Sequence, residues 1–269
     1  GFFFEEGIYL RWLNELLNGK ILYKEIYYYG GPFLIWPQYV LMKLFSPSIA
    51  LNRLYVYFCQ FAGYLIVLAV LRHMVSRKIV MLIGAAIIIY LYYPLFPSVH
   101  VSFGRFAICL IPLHLLYLYF FKKRNVYLLL CGISAAFAFF ASQELGMAAF
   151  AATAAMLLAY QYRERDMRGF FRKAAVLGLG ALLVTAPVLG YFAVHHALAD
   201  LYEALILVPG YYSMGVWGFP FPNLLVYLKN SENVQYDLTE LLLAYWPILF
   251  YIGSVFFCLV QFLKRSYPN

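Results

Sequence analysis

Charge is scarce in this sequence. Asp, Glu, Lys and Arg make up 12% of its 269 residues, about half the roughly 25% of an ordinary soluble domain. With 65% of the chain hydrophobic, a water-soluble globule is excluded. Cysteine is sparse as well: Cys59, Cys109, Cys131 and Cys258 all fall in apolar runs. No CxxC pair and no histidine at ligand spacing accompanies them, so neither a disulfide framework nor a zinc site is indicated. A charged n-region with a short apolar h-region and a cleavage site is missing, so no signal peptide is visible. The two halves show no repeat of transporter type. Beginning at Gly1 and stopping at Ser266-Tyr267-Pro268-Asn269, the chain reads as a fragment at both ends.

What is abundant is aromatic: 20% of residues, with Tyr 26 and Phe 25. That excludes a coiled coil and low-complexity disorder. A polytopic membrane protein remains, and the net charge of +8 is tested first against the positive-inside rule rather than against nucleic acid. A span needs about 20 apolar residues, fewer inside a bundle. Seven runs qualify: 54–71, 79–93, 106–121, 126–140, 145–160, 174–194 and 241–263.

Cations gather at alternate connections: Arg72, Arg77 and Lys78; Lys122, Lys123 and Arg124; Arg163, Arg165, Arg168, Arg172 and Lys173; Lys264 and Arg265. These are thirteen of the 20 Lys and Arg, which makes those connections cytoplasmic. Nine of the 12 carboxylates, Glu5, Glu6, Glu15, Glu25, Asp200, Glu203, Glu232, Asp237 and Glu240, fall in the other segments. Acids contribute little to insertion, so their asymmetry points to chemistry on the outer side. Nucleic acid is not an expected partner.

Residues 1–53 form a first outer loop that does not span. In 7–18, Arg11, Asn14, Glu15 and Asn18 recur at helical spacing among Trp12, Leu13, Leu16 and Leu17, and Gly19 stops the run. The expectation is an amphipathic helix lying at the interface. A second short helix, 33–45, follows Pro32, a residue suited to a first helical position. The remaining divisions are a six-helix part at 54–194, a second large outer loop at 195–240 rich in turn formers and aromatics, and a seventh span with a cytoplasmic end at 241–269.

The ordered series Glu5-Glu6-Gly7-Ile8-Tyr9-Leu10, Leu16-Leu17-Asn18-Gly19-Lys20, Tyr29-Gly30-Gly31-Pro32 and Leu44-Phe45-Ser46-Pro47-Ser48 resembles the first outer loop of GT-C membrane glycosyltransferases. Narrower likeness is to the bacterial glycosyltransferase family 39 group, related to protein O-mannosyltransferases and aminoarabinose transferases. Further matches are His100-Val101-Ser102-Phe103-Gly104-Arg105-Phe106, Gln143-Glu144-Leu145-Gly146 and Phe219-Pro220-Phe221-Pro222. The resemblance implies an all-α GT-C-type bundle with interfacial helices in its first outer loop, seated in a bacterial inner membrane. It also implies transfer of a sugar from a polyprenyl-phosphate donor to a lipid, glycan or protein acceptor on the periplasmic or extracellular side. In that family an Asp-Glu pair opens the loop and its Asp acts on the acceptor; here Glu5 and Glu6 stand at those positions.

Such a transfer needs a base at the acceptor, cations for the departing phosphate and a slot for the lipid. Glu5 is the expected base, with Glu6 orienting the acceptor or holding a divalent cation; no other cofactor is implied. Arg105 and Arg53, at the ends of runs three and one, are the expected phosphate cradle. His100, Gln143, Glu144, Tyr29, Tyr211, Tyr212 and Trp217 are expected around a substrate cavity, with Tyr211 to Phe221 as a lid. The bland readings are solvated acids, arginines snorkelling to headgroups and an interfacial aromatic belt. His195 and His196, adjacent on one helix, point apart, and His114 is expected to pack. A transporter, permease or non-catalytic membrane component is the rival class. Ion-coupled carriers place acids near the bilayer midplane, where these runs hold almost none.

Overall fold

The computed structural model describes residues 2–28, 30–74, 78–79, 81–84, 86, 105 and 107–208. The chain divides into two units, Gly1–Pro209 and Gly210–Asn269, and the described residues belong to the first. They form helices α1 (Phe2–Leu17), α2 (Pro32–Phe45), α3 (Ile49–Met74), α4 (Leu110–Lys122), α5 (Asn125–Ala141), α6 (Gln143–Arg163), α7 (Met167–Val194) and α8 (Leu198–Tyr202). A π-helical turn at Glu203–Leu207 continues α8. The one β feature among the described residues is an isolated bridge between Leu22 and Ile26.

Among the described residues three helical stretches are long and apolar enough to cross a membrane: Ile49–Arg72, Gln143–Arg163 and Arg168–Val194. At 1.5 Å per residue each reaches about 30 Å or more. Their outward faces are apolar too: Leu54, Phe58, Phe61 and Leu65 form one stripe on α3, each at least half exposed. So large an uncovered apolar stripe fits lipid and not water. Helices α4 and α5 are apolar but shorter, with 13 and 17 residues. Spans at 79–93 and 241–263 lie outside the described residues, apart from a few positions in the first.

Helix starts differ from the apolar runs. Most of run 106–121 lies in the helix that begins at Leu110, after a turn at Ile108 and Cys109 that follows helical Arg105 and Ala107; Pro112, which lacks an N–H, falls in its first turn, where it is tolerated. Run 174–194 begins seven residues earlier, at Met167, where the Asp166 carboxylate accepts the Gly169 N–H at 2.8 Å. Arg168, Arg172 and Lys173 therefore ride on helix α7 rather than in a loop. Run 145–160 extends back to Gln143, with Glu144 in the first turn where the helix dipole favours an acid.

Helix α5 is the hub, packed against α2, α4, α6 and α7. Its contact with α7 is a close backbone approach through small residues. A Cβ on Gly132 would run into the Leu177 carbonyl oxygen, and one on Gly180 into that of Leu129.

The first 53 residues fold as a cap over one end of this bundle. Helix α1 closes with two backbone bonds, Gly19 N–H to Leu16 and Lys20 N–H to Glu15, around Gly19 at φ 85°. That is the left-handed stop glycine supplies most readily. Tyr9, Trp12, Leu13 and Leu16 make the buried stripe of α1, while Arg11 and Asn14 are exposed. The expected amphipathic face is present, but it covers protein rather than lipid. Tyr9 supplies the reason: its hydroxyl needs an acceptor, which the Leu34 carbonyl provides at 2.8 Å, while Trp12 meets Tyr28 edge-on at 5.0 Å. The core so formed also contains Phe192, Ala197, Leu201 and Leu205. The loop before α2, the end of α7 and the α8 segment are thus one packed body, not separate loops. At the other end of the bundle lie Lys122–Arg124 and Arg163–Lys173, with Lys123 bonded to the Tyr160 hydroxyl.

Candidate functional site

Glu6 lies in the second turn of α1 and Arg53 in the second turn of α3, and the two meet at the cap's edge. The guanidinium grips the carboxylate with both ends, Nε to Oε1 and Nη2 to Oε2, each at 2.9 Å. Asn52 donates to Glu6 Oε1 at 3.4 Å and itself accepts from Gln38 Nε2. Gln38 is fully buried and Asn52 nearly so, and the Gln38 Oε1 has no hydrogen-bond partner. A polar file therefore runs from the buried face of α2 to the surface at Arg53. Arg53's hydrogen bonds hold the Glu6 carboxyl below its ordinary range, so Glu6 is an ionised acceptor and a weak base. Of the five guanidinium N–H groups of Arg53, two are used on Glu6; half of its side chain is exposed. Glu5 precedes Glu6 on the same helix; its side chain lies outside the described residues.

Both Glu6 oxygens are occupied by Arg53, so a divalent cation there would have to displace the guanidinium. Among the described residues no group of three or more His, Cys, Asp and Glu could hold a metal. The residues as arranged do not fit the cation considered for Glu6.

Arg105 belongs to a different cluster. Its Nε donates to Ser142 Oγ at 3.0 Å and its Nη2 pairs with Glu144. Ser142 and Gln143 are buried and Glu144 is half exposed. Gln143 and Glu144 therefore open α6 rather than forming a loose connection. The two arginines expected to share one phosphate are each paired with a carboxylate, Arg53 with Glu6 and Arg105 with Glu144.

The two histidines end α7 instead of riding on it: His195 is its C-cap and His196 has φ 52°. The His195 carbonyl accepts the Lys24 ammonium at 3.0 Å, tying the first loop to the end of α7. His114 is half-buried with its ring beside Tyr117, a packing role. Tyr29, His100, Tyr211, Tyr212 and Trp217 lie outside the described residues, as does the rest of the 195–240 loop beyond Val208.

Aromatic side chains not singled out by sequence reasoning dominate the seam between cap and bundle. Trp36 stacks on Phe192 at 5.7 Å and meets Tyr191 edge-on at 5.1 Å. Beside them a groove of about 350 Å³ is lined by Leu16, Lys20, Trp36, Tyr39, Val40 and Tyr191. That volume is within the range of small-molecule sites. A detectable signal existed: Trp and Tyr at the ends of apolar helices mark the interface level. Burial also pushes the hydroxyls of Tyr9 and Tyr23 well above the usual tyrosine range, leaving both as protonated donors, Tyr23 to the Gly30 carbonyl at 2.6 Å.

No family model, no curated protein and no solved structure matches this chain.

Proposed function

We propose that this chain is a membrane glycosyltransferase of the GT-C kind, moving a sugar from a polyprenyl phosphate to an acceptor at the capped end of its bundle. The observation that carries the reading is the corner of α1, α2 and α3. There an ionised carboxylate and a half-exposed guanidinium are held together at the mouth of a membrane-spanning helix, in the segment whose sequence resembles the family.

In this reading Glu5 removes the proton of the acceptor hydroxyl. The new C1–O bond forms as the C1–O bond to phosphate breaks with inversion, and the electron pair leaves on the phosphate. Glu6 anchors Arg53, whose remaining N–H groups meet the departing phosphate at headgroup level. Arg105, held by Ser142 and Glu144, positions the start of α6 rather than the donor. The aromatic groove beside Trp36 and Tyr39 gives the lipid an apolar bed.

The test is transfer of label from radiolabelled polyprenyl-phosphate sugars in membranes containing the chain. Wild type is expected to transfer; Glu5→Gln is expected to fail with donor binding kept; Arg53→Ala is expected to lose donor binding while Arg105→Ala retains it. Absence of transfer by wild type across a broad donor panel overturns the proposal.

A further inference from the structure

A cleft of about 100 Å³ is lined by Tyr23, Tyr27, Tyr28, Asp200, Glu203, Ala204 and Val208. Its walls come from two segments that are distant in sequence. The tyrosines belong to the loop before α2, and the acids lie one turn apart where α8 passes into the π-helical turn. Such turns are uncommon and recur at functional sites. Tyr23 and Tyr28 are fixed, their rings 6.1 Å apart and Tyr23 tied to Gly30, whereas Tyr27 is 64% exposed and forms an outer wall. Among the described residues no Lys or Arg lines the cleft. The neighbouring cation, Lys24, is bonded to the His195 carbonyl, and among the described residues neither the Asp200 nor the Glu203 carboxylate has an ion-pair or hydrogen-bond partner.

We infer that this cleft binds an organic ammonium group, with the tyrosine faces and the two carboxylates as its cage. Aromatic faces attract cations through their quadrupole, most strongly when the cation is partly desolvated, and two carboxylates supply the neutralising charge in a chain whose net charge is +8. Size decides against a whole sugar or drug-sized ligand: sites for those run from about 300 Å³ upward, while about 100 Å³ equals the share of roughly three liquid waters. A single ammonium head fits. Against a divalent metal, the cleft brings together only two carboxylates, and among the described residues no group of three or more His, Cys, Asp and Glu could hold a metal. The inference stands apart from the transferase reading, because it concerns binding alone and its test reads no transfer.

The probe is choline chloride against its neutral isostere 3,3-dimethyl-1-butanol, followed by saturation-transfer NMR on the full chain in detergent. The expected result is saturation of the trimethylammonium protons but not of the tert-butyl protons. Asp200→Asn/Glu203→Gln is expected to weaken choline binding at least roughly tenfold. Tyr27→Ala, at an exposed position that leaves the fold intact, is expected to weaken it several-fold. Equal binding of the two probes, no choline binding, or displacement of choline by millimolar Ca²⁺ but not by tetramethylammonium overturns the inference. A second arm separates the source of the group. Choline saturation lost in phosphatidylcholine nanodiscs but kept in phosphatidylglycerol nanodiscs assigns the cleft to a lipid headgroup. Saturation kept in both assigns it to a free cation, and either result supports an ammonium site.

Discussion

The α5–α7 seam makes a prediction in which one substitution has opposite signs at neighbouring glycines. Replacing a helical Gly by Ala is ordinarily stabilising by about 1 kcal/mol, through lost backbone freedom in the unfolded chain and better propensity. At Gly178 of α7 nothing lies within 4 Å of the added Cβ, so Gly178→Ala is expected to gain up to about 1 kcal/mol. At Gly132 the Cβ meets the Leu177 carbonyl oxygen and the Ala181 nitrogen, and at Gly180 it meets the Leu129 carbonyl oxygen. Those are backbone atoms of packed helices and cannot swing aside as a side chain can. Overpacking of this sort costs roughly 1–3 kcal/mol. Set against the propensity gain, Gly132→Ala and Gly180→Ala should each lose up to about 2 kcal/mol. The two sites also share one seam, with Gly132 opposite Leu177 and Ala181 and Gly180 opposite Leu129 and Ile133. Once one methyl has parted the helices, the second meets less resistance, so the double substitution should cost well under the sum of the singles. Unfolding of the detergent-solubilised protein by SDS titration, followed by helical circular dichroism, measures all four variants. The same sign at Gly132 and Gly178, or strict additivity of the double variant, would refute the close approach.

Acid is expected to loosen the cap. The Glu6 carboxyl is held below its ordinary value by Arg53, so the stability it contributes is present above that ordinary value and lost as pH falls through the lowered one. Trp12 fluorescence should report a transition on that acid side that Glu6→Gln abolishes; an unchanged transition in the variant removes Glu6 as its source. Phe192→Ala empties a fully buried site in the shared core and should cost about 3–5 kcal/mol. Hydrogen exchange should then rise in both the 22–28 loop and the 198–207 segment, and a rise in one alone would mean that they are not one packed body. Asp166→Ala removes the cap of α7 at about 1 kcal/mol, read as faster exchange of the amides at 168–172, with the rest of the helix unchanged.

Much of the helical plan was legible one residue at a time. Gly19 as a stop, Pro32 in a first turn and polar Arg11 and Asn14 on one face of α1 need only φ preference, a missing N–H and a period of 3.6, all of which are local. The shifted start at Met167 was equally local but masked, because an apolar run shows where lipid can be met and not where hydrogen bonding begins. Asp166 carried that information. The site was legible in residue type and not in arrangement. Glu6 and Arg53 could be named from their positions, but their pairing across 47 residues depends on α2, which packs against both α1 and α3. Arg105, expected beside Arg53, is bonded to Glu144 and Ser142, which its position in the sequence did not indicate.

By itself, then, the sequence determined that this is an all-helical chain with membrane-length apolar helices, since burial period, caps and low charge are properties of contiguous residues. Only the tertiary structure decided what the amphipathic face of α1 covers. A buried Tyr9 hydroxyl needs an acceptor and finds one in Leu34 of the next helix, which no pattern within α1 encodes. In the same way Tyr23, Tyr27, Asp200 and Glu203 line one cleft because the loop before α2 shares a core with the end of α7 and the α8 segment. Long-range juxtaposition of this kind is set by which surfaces fit when chain ends close, and that fit is a property of the folded whole.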